Sequence, residues 1–408
     1  MSAIANAATH ADRAARWSAI ALGFSIPISV ALDGVLSVVV LAGWLASGNY
    51  RQKLDAIARN PVAIGALLLY AMLLIGALYG HREPGDAADY LGKYIDLLLI
   101  PIFVFCFRDA RDRRRAIYAF TASLALTLAL SFVVKAGWLP HWSFIKGDPA
   151  NASVFKKSLT HNILMSFGAF LFLHLALRST TALWRWLWLG TAFLSVVNVL
   201  VMVQGRIGYL ILGTLVLYAG YCWKGWRGLG AMFVSVLVLT GILAVTPNPA
   251  RDRVQLAIEE AQAWHPGIPE ATSIGYRLAF YRNSLEIIAK HPLLGVGTGG
   301  YPKAYADQTR GTGLEPSRNP HNEYLLIGVQ TGLVGLALLL NLFWQHWRLA
   351  PRLATSFETH LCRGLLLTFV VACLFNSLLL DHTEGLLFAW MTGLLYGGLE
   401  SRGIGNRE

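Results

Sequence analysis

Apolar runs long enough to cross a bilayer alternate with short polar segments along most of this 408-residue chain. The pattern predicts spans near residues 17–31, 34–47, 62–80, 92–107, 116–136, 161–178, 184–203, 207–222, 229–246, 324–343, 364–380 and 385–399. It describes an all-α polytopic membrane protein of about 12 transmembrane helices. One connection, 247–323, is far longer than the rest. Val254, Ile258 and Ala261 predict an amphipathic helix over 250–264, and 275–290 predicts a second that stops at His291-Pro292. "LLGVGTGGYPK" then reads as a glycine-rich turn. It lacks the preceding strand, the following helix and the Lys-Ser/Thr of a phosphate loop. The expected organisation is a bundle of nine spans over 1–246, a helical loop domain over 247–323, and three further spans with the C-terminus over 324–408.

Charge refines the picture. The chain is 55% hydrophobic and 14% charged, with a formal charge of +11. Most charges lie between apolar runs, where they act as topology signals and not as a nucleic-acid-binding face. Arg13 and Arg16, "YRQKLDAIAR", "RDARDRRR", "KGWR", "WRLAPR" and "SRGIGNRE" occupy alternate connections. Placed on one side, they predict cytoplasmic termini and an even number of spans. Asp33 and Gly34 alone part the first two runs, and the parity requires them to be two passes. No small-residue cleavage site follows the first run, so it is expected to stay as an uncleaved span. The four cysteines show neither a disulfide framework nor zinc spacing.

The outward connections carry the candidate chemistry. Arg206 sits in a three-residue turn, "QGR", where its planar fork suits a phosphate as well as it suits snorkelling. Arg277 and Arg282 lie five residues apart, roughly 140° around a helix. Arg282 has Glu286 four residues on, which makes an ion pair. Arg277 shares its stripe with Phe280, Tyr281 and Ser284, has no such partner, and is the better ligand-facing candidate. His321 lies with Arg318, Asn319 and Asn322 at the lip of a span, where a neutral imidazole can take a proton from a sugar hydroxyl. His161-Asn162 offers a second polar contact, and Asp381, His382 and Glu384 fill the last outer turn. No two acidic residues stand at D-x-D spacing, so no metal site is expected and arginines would have to stabilise a diphosphate leaving group.

These residues resemble the bacterial O-antigen ligases, within the O-antigen ligase/polymerase superfamily of membrane glycosyltransferases. "HNEYLLIGVQTGLVG" is similar to the motif H-[NSQ]-x9-G-x-x-[GTY], with His321, Asn322, Gly332 and Gly335 in place. "QGRIGY" matches the arginine of a short outer turn, and "GYRLAFYRNSLEIIAKHPLLGVGTGGY" resembles an Arg-bearing helix followed by Pro-x-x-G-x-G. The resemblance implies a GT-C-like architecture in the bacterial inner membrane, with the long loop and the active site facing the periplasm. It implies transfer of O-polysaccharide from undecaprenyl diphosphate to lipid A–core, without cofactor, metal or nucleic acid. On this resemblance His321 would be the base and Arg206 and Arg277 the diphosphate ligands; Arg318, Asn322, His161, Asp381 and Glu384 are further candidate contacts added from the residues themselves and not from the resemblance. Gly332 and Gly335 would serve close helix packing. A polymerase or a protein O-oligosaccharyltransferase shares these motifs. A secondary transporter of an anionic solute is a different class, and its site would lie near the membrane midplane.

Overall fold

The computed structural model describes residues 2–80, 82–138, 144–247, 249–265 and 272–399. The basic end "SRGIGNRE" lies outside them. Helices α1 (Ser2–Ser25) and α2 (Val30–Ala46) form an antiparallel hairpin, and α3 (Tyr50–Ala58) bends from α2 by 114°. Then follow α4 (Pro61–Gly76), α5 (Asp86–Lys93), α6 (Leu99–Cys106), α7 (Ala110–Lys135), α8 (Ser158–Arg178) and α9 (Ala182–Val197). The α9 helix runs into a π-helical turn, Asn198–Met202, before α10 (Arg206–Val245). The long connection holds α11 (Pro249–Ala263), α12 (Ser273–Lys290) and α13 (Tyr301–Gln308). The chain closes with α14 (Glu323–Leu349), α15 (Ser356–Ala372) and α16 (His382–Tyr396). Among the described residues the fold is all-α, with one isolated bridge between Asp148 and Asn151.

The expectation of about 12 transmembrane helices is corrected by this structure. Among the described residues, five helical segments are long and apolar enough to cross a membrane: Ala110–Lys135, Ser158–Arg178, Ala182–Met202, Arg206–Ile242 and Glu323–Arg352. The bent pair α2–α3 makes a sixth if taken as one span. Hydropathy overcounts because it registers apolar composition and not unbroken helix. The run at 62–80 holds the 16-residue α4, and the run at 92–107 is interrupted by the 3₁₀ turn Ile95–Leu98. The last two runs hold helices of 17 and 15 residues. The two runs at 207–222 and 229–246 fall within the single element α10, whose backbone leaves helical geometry at Lys224 and Gly225.

Polar connections gather at two ends. At one, Arg16 reaches Asp112 at 2.9 Å, Arg108 reaches Asp12 at 2.9 Å, and Arg113 pairs with Glu358 at 2.9 Å. Two of the basic segments expected on a common side, the one holding Arg16 and "RDARDRRR", meet here. At the other end Arg318 reaches Asp86, Lys156 approaches Asp33, and Tyr79 donates to the Leu294 carbonyl. The result is a multi-span, membrane-like architecture of the kind found in the inner membrane.

The glycine-rich turn is built into this second end. Gly332 interrupts α14 with φ +65°, and an added Cβ there would lie 2.2 Å from the Leu293 carbonyl oxygen. The break leaves α14 carbonyls without helical partners, and the turn supplies them. Val296 N–H donates to the Val329 carbonyl at 2.8 Å and Gly297 N–H to that of Gln330 at 2.9 Å. In return, Leu333 N–H donates to Pro292 at 2.8 Å, and Gly299 N–H donates to the Gln330 side chain at 2.7 Å. Thr298 N–H bonds the Gly76 carbonyl at 2.9 Å, tying in the end of α4. Gly332 therefore breaks a helix so that a loop can enter it, which differs from the close helix packing expected. Gly332→Ala must carry a side chain in the left-handed region, at about 1–2 kcal/mol, on top of the carbonyl clash. A lower thermal midpoint of the detergent-purified protein is expected, with Gly213→Ala, in open space on α10, unchanged.

Candidate functional site

Arg206 is the first residue of α10, and its turn is held from beneath. The Asn162 amide donates to the Val203 carbonyl at 3.3 Å, and Gln204 N–H donates to the Asn151 side chain at 3.0 Å. A Cβ on Gly205 would lie 2.3 Å from the Asn162 amide nitrogen, so a side chain there would displace the amide that bonds Val203. His161 is buried one residue away, with Nε2 3.0 Å from the Asn198 side-chain oxygen. Asn198 opens the π-helical turn, a feature common at functional sites. His161 and Asn162 thus sit beneath the arginine turn.

Arg277 lies on the first half of α12, whose start is capped by Thr272 accepting from Gly275 N–H. Burial, more than any neighbour, pulls its guanidinium below the ordinary arginine pKa; Tyr281 opposes the fall and Arg206 adds to it. The two arginines are therefore close enough to repel. Both are half-buried, and neither guanidinium has an ion pair or hydrogen bond among the described residues. The other sequence candidates are already partnered. Arg282 pairs with Glu286 at 3.0 Å. Arg318 reaches Asp86 at 2.7 Å and Asp89 at 3.3 Å, and the Asp86 carboxylate holds its guanidinium above the usual value.

His321 precedes α14 with φ +52°, a left-handed conformation uncommon outside glycine. Its backbone is fixed on both sides. His321 N–H donates to the Asn319 side chain at 2.8 Å, and Asn319 also accepts from Ser377 at 2.7 Å. Asn322 caps α14 through Leu325 N–H at 3.0 Å and donates to the Leu374 carbonyl at 3.0 Å. Glu323, fully buried, accepts from Tyr94 at 2.6 Å and from Leu379 N–H at 2.8 Å. Tyr281 of α12 donates to the Leu374 carbonyl and lies 3.4 Å from the His321 carbonyl oxygen. Phe280 places its ring 6.1 Å from the imidazole. One face of α12 thus carries Arg277 at one point and borders His321 at the next.

The imidazole is exposed, and its Nδ1 lies 3.0 Å from Asn376 Oδ1. The Asn376 amide nitrogen donates to Asp381 Oδ2 at 2.6 Å. An ionised carboxylate only accepts, so this bond orients the amide with its oxygen toward His321. That oxygen in turn requires the proton on Nδ1 and leaves a lone pair on Nε2. Burial raises the Asp381 carboxyl above the usual aspartate value, against the bond from Asn376 and the charges of His321, Lys93 and Lys157. Asp381 thus meets Asn376 and not the arginines. Glu384 is buried in the first turn of α16, electrostatically coupled to Asp381 and Lys156. Sequence reasoning missed Asn376 because it lies inside an apolar run with no motif around it. Among the described residues no group of three or more His, Cys, Asp or Glu is arranged to hold a metal ion.

A family model described as O-antigen ligase matches residues 189–340, less than half of the chain. The matched segment holds Arg206, Arg277 and His321 but neither Asn376 nor Asp381. No curated protein matches the chain. An O-antigen ligase domain of the superfamily is thereby detected over part of the chain, which supports glycosyltransferase-like activity at family level.

Asn376 is expected to act by holding the imidazole in one tautomer. Asn376→Leu should lower the turnover number by roughly tenfold or more with the donor KM little changed. Steady-state kinetics checks this, with the thermal midpoint measured alongside to detect loss of fold.

Proposed function

We propose that this protein is an O-antigen ligase. It transfers a finished O-polysaccharide from undecaprenyl diphosphate to a hydroxyl of lipid A–core, at the periplasmic face of the inner membrane. The observation that carries the proposal is the pair Arg206 and Arg277, two half-buried cations that feel each other's charge and have no anion among the described residues, with Arg277 on the α12 face that borders His321. Two like charges held together away from full solvation favour a ligand with at least two negative charges. A diphosphate meets that demand, and two guanidinium forks can hold its oxygens bidentately.

The chemistry follows from those positions. His321 Nε2 takes the proton from the acceptor hydroxyl as its oxygen attacks the anomeric carbon. The bond from that carbon to the diphosphate oxygen breaks, and undecaprenyl diphosphate departs with the electron pair. Arg206 and Arg277 neutralise the charge that develops on it. Attack opposite the leaving group inverts the anomeric centre. Both substrates are lipid-anchored, so a site at the interface receives each by lateral diffusion, and holding them in register supplies proximity. The N- and C-termini then lie in the cytoplasm, and 247–323 forms the periplasmic cover between bundles 1–246 and 324–408. Arg318, Asn322, His161 and Glu384 act in this scheme through the groups they hold.

Purified protein given both lipid substrates should produce lipopolysaccharide bearing O-polysaccharide. His321→Ala should abolish transfer while the protein still inserts; normal transfer by that variant would remove His321 as base. Arg206→Lys keeps a charge but loses the fork, and a fall of roughly tenfold is expected from one lost charge-assisted bond. Full activity with lysine would mean that charge alone suffices. Cells lacking the gene should accumulate polymer on undecaprenyl diphosphate, whereas accumulation of single repeats would identify a polymerase.

A further inference from the structure

A second cationic feature lies farther along the same helix and takes no part in the scheme above. A cavity of about 500 Å³ opens at the C-terminal end of α12 against α13, lined by Ile287, Lys290, His291, Lys303, Asp307 and Gln308 among others. It contains none of His321, Arg206 and Arg277. Lys290 is thirteen residues beyond Arg277 on α12, which places it about 20 Å farther along the axis. The two cationic features are therefore distinct.

The cavity carries unbalanced positive charge. Lys303 is half-buried in its wall, and its ammonium has no partner among the described residues. Among the described residues, the one hydrogen-bond partner of Lys290 is a neutral group, the Gln308 side-chain oxygen. Gln308 is itself anchored, donating to Glu286 at 2.5 Å. The single acidic residue of the lining, Asp307, is turned to Arg310 at 2.6 Å, so its charge is already matched. His291 adds an imidazole at the rim.

The surroundings are apolar. Leu74 and Ile75 near the end of α4, Leu78 just beyond it, and Leu293 and Leu294 on the glycine-rich turn are all exposed, at 46%, 53%, 84%, 67% and 49%. Gly80 and Gly295, which follow those two groups in the chain, line the cavity itself. A cationic hollow bordered by exposed leucines at the outer end of an apolar helix matches the depth at which lipid phosphates sit.

We propose that this cavity binds the phosphate-bearing headgroup of a lipid, with Lys303 and Lys290 as its ligands. The site rests on this geometry alone. Its use in docking the phosphorylated lipid acceptor, while Arg206 and Arg277 hold the donor, rests on the transfer reaction proposed above. A catalyst joining two anionic lipids needs two separate anion sites, so that neither substrate displaces the other.

Native mass spectrometry of the full-length protein in detergent tests the site without requiring turnover. Two probes are added separately: lipid A–core with its phosphates, and phosphatidylglycerol. Retention by the wild-type protein should fall roughly tenfold or more in Lys303→Glu and in Lys290→Gln/Lys303→Gln, the scale of one or two charge-assisted bonds. Lys303→Arg should restore it, which a misfolded variant could not do. Loss of lipid A–core retention supports the site and identifies the acceptor as its occupant. Loss of phosphatidylglycerol retention alone supports the site and identifies bulk phospholipid. Unchanged retention of both lipids by both acidic and neutral variants overturns it. If binding behaves as expected but the wild-type protein transfers no glycan, only the proposed reaction falls.

Discussion

The break in α14 at Gly332 is the constraint on which the end of the molecule that holds His321 depends. A helix interrupted in an apolar setting exposes carbonyls that water cannot reach, and each unsatisfied one costs about 1–3 kcal/mol. Here the glycine-rich turn enters the break and hydrogen-bonds Val329 and Gln330. The same turn bonds the end of α4 and joins α12 to α13. The His motif on α14 and the glycine run after α12 are therefore two halves of one device, which sets α12 against α14 and so sets Phe280 and Tyr281 beside His321, with Arg277 one turn earlier on the same helix.

Charge pairing then separates working residues from supporting ones. Arg113, Arg282 and Arg318 each face a carboxylate within 3.0 Å. Arg206 and Arg277 face no carboxylate among the described residues, and the charge of Arg206 adds to the lowering of the Arg277 guanidinium. A half-buried guanidinium without an anion is unfavourable, and a neighbour of like charge makes it more so. Protein folds retain such a pair where a ligand supplies the missing charge. The turn carrying Arg206 is correspondingly rigid, with a π-helix before it and Asn162 and Asn151 under it. Rigid placement lets the cations meet a leaving group without reorganising at the moment of reaction.

Part of this arrangement can be read in the sequence, because an arginine in a connection expected on the outer side departs from topology rules and the helical angle between Arg277 and Arg282 is computable. The Arg282–Glu286 pair follows from spacing alone. Arg318 could not be read the same way, since its partner Asp86 lies 232 residues distant. Asn376 and Asp381 were invisible as a relay for the same reason: Asn376 is an amide in an apolar run that acquires meaning only when folding brings His321 to it. His161 looked like an outer contact, yet the structure buries it against Asn198 beneath the arginine turn. Hydropathy overcounts the spans because apolar composition does not report where a helix breaks, as at Ile95–Leu98, or ends early, as α4 does at Gly76.

The central claim is that Arg206 and Arg277 form the diphosphate site and that His321 faces it. A structure of the protein bound to undecaprenyl diphosphate tests this most directly. The account predicts both phosphates within hydrogen-bonding distance of the two guanidinium groups, with His321 Nε2 turned toward the space above the terminal phosphate. A diphosphate bound elsewhere, with Arg206 and Arg277 still unliganded, would contradict it.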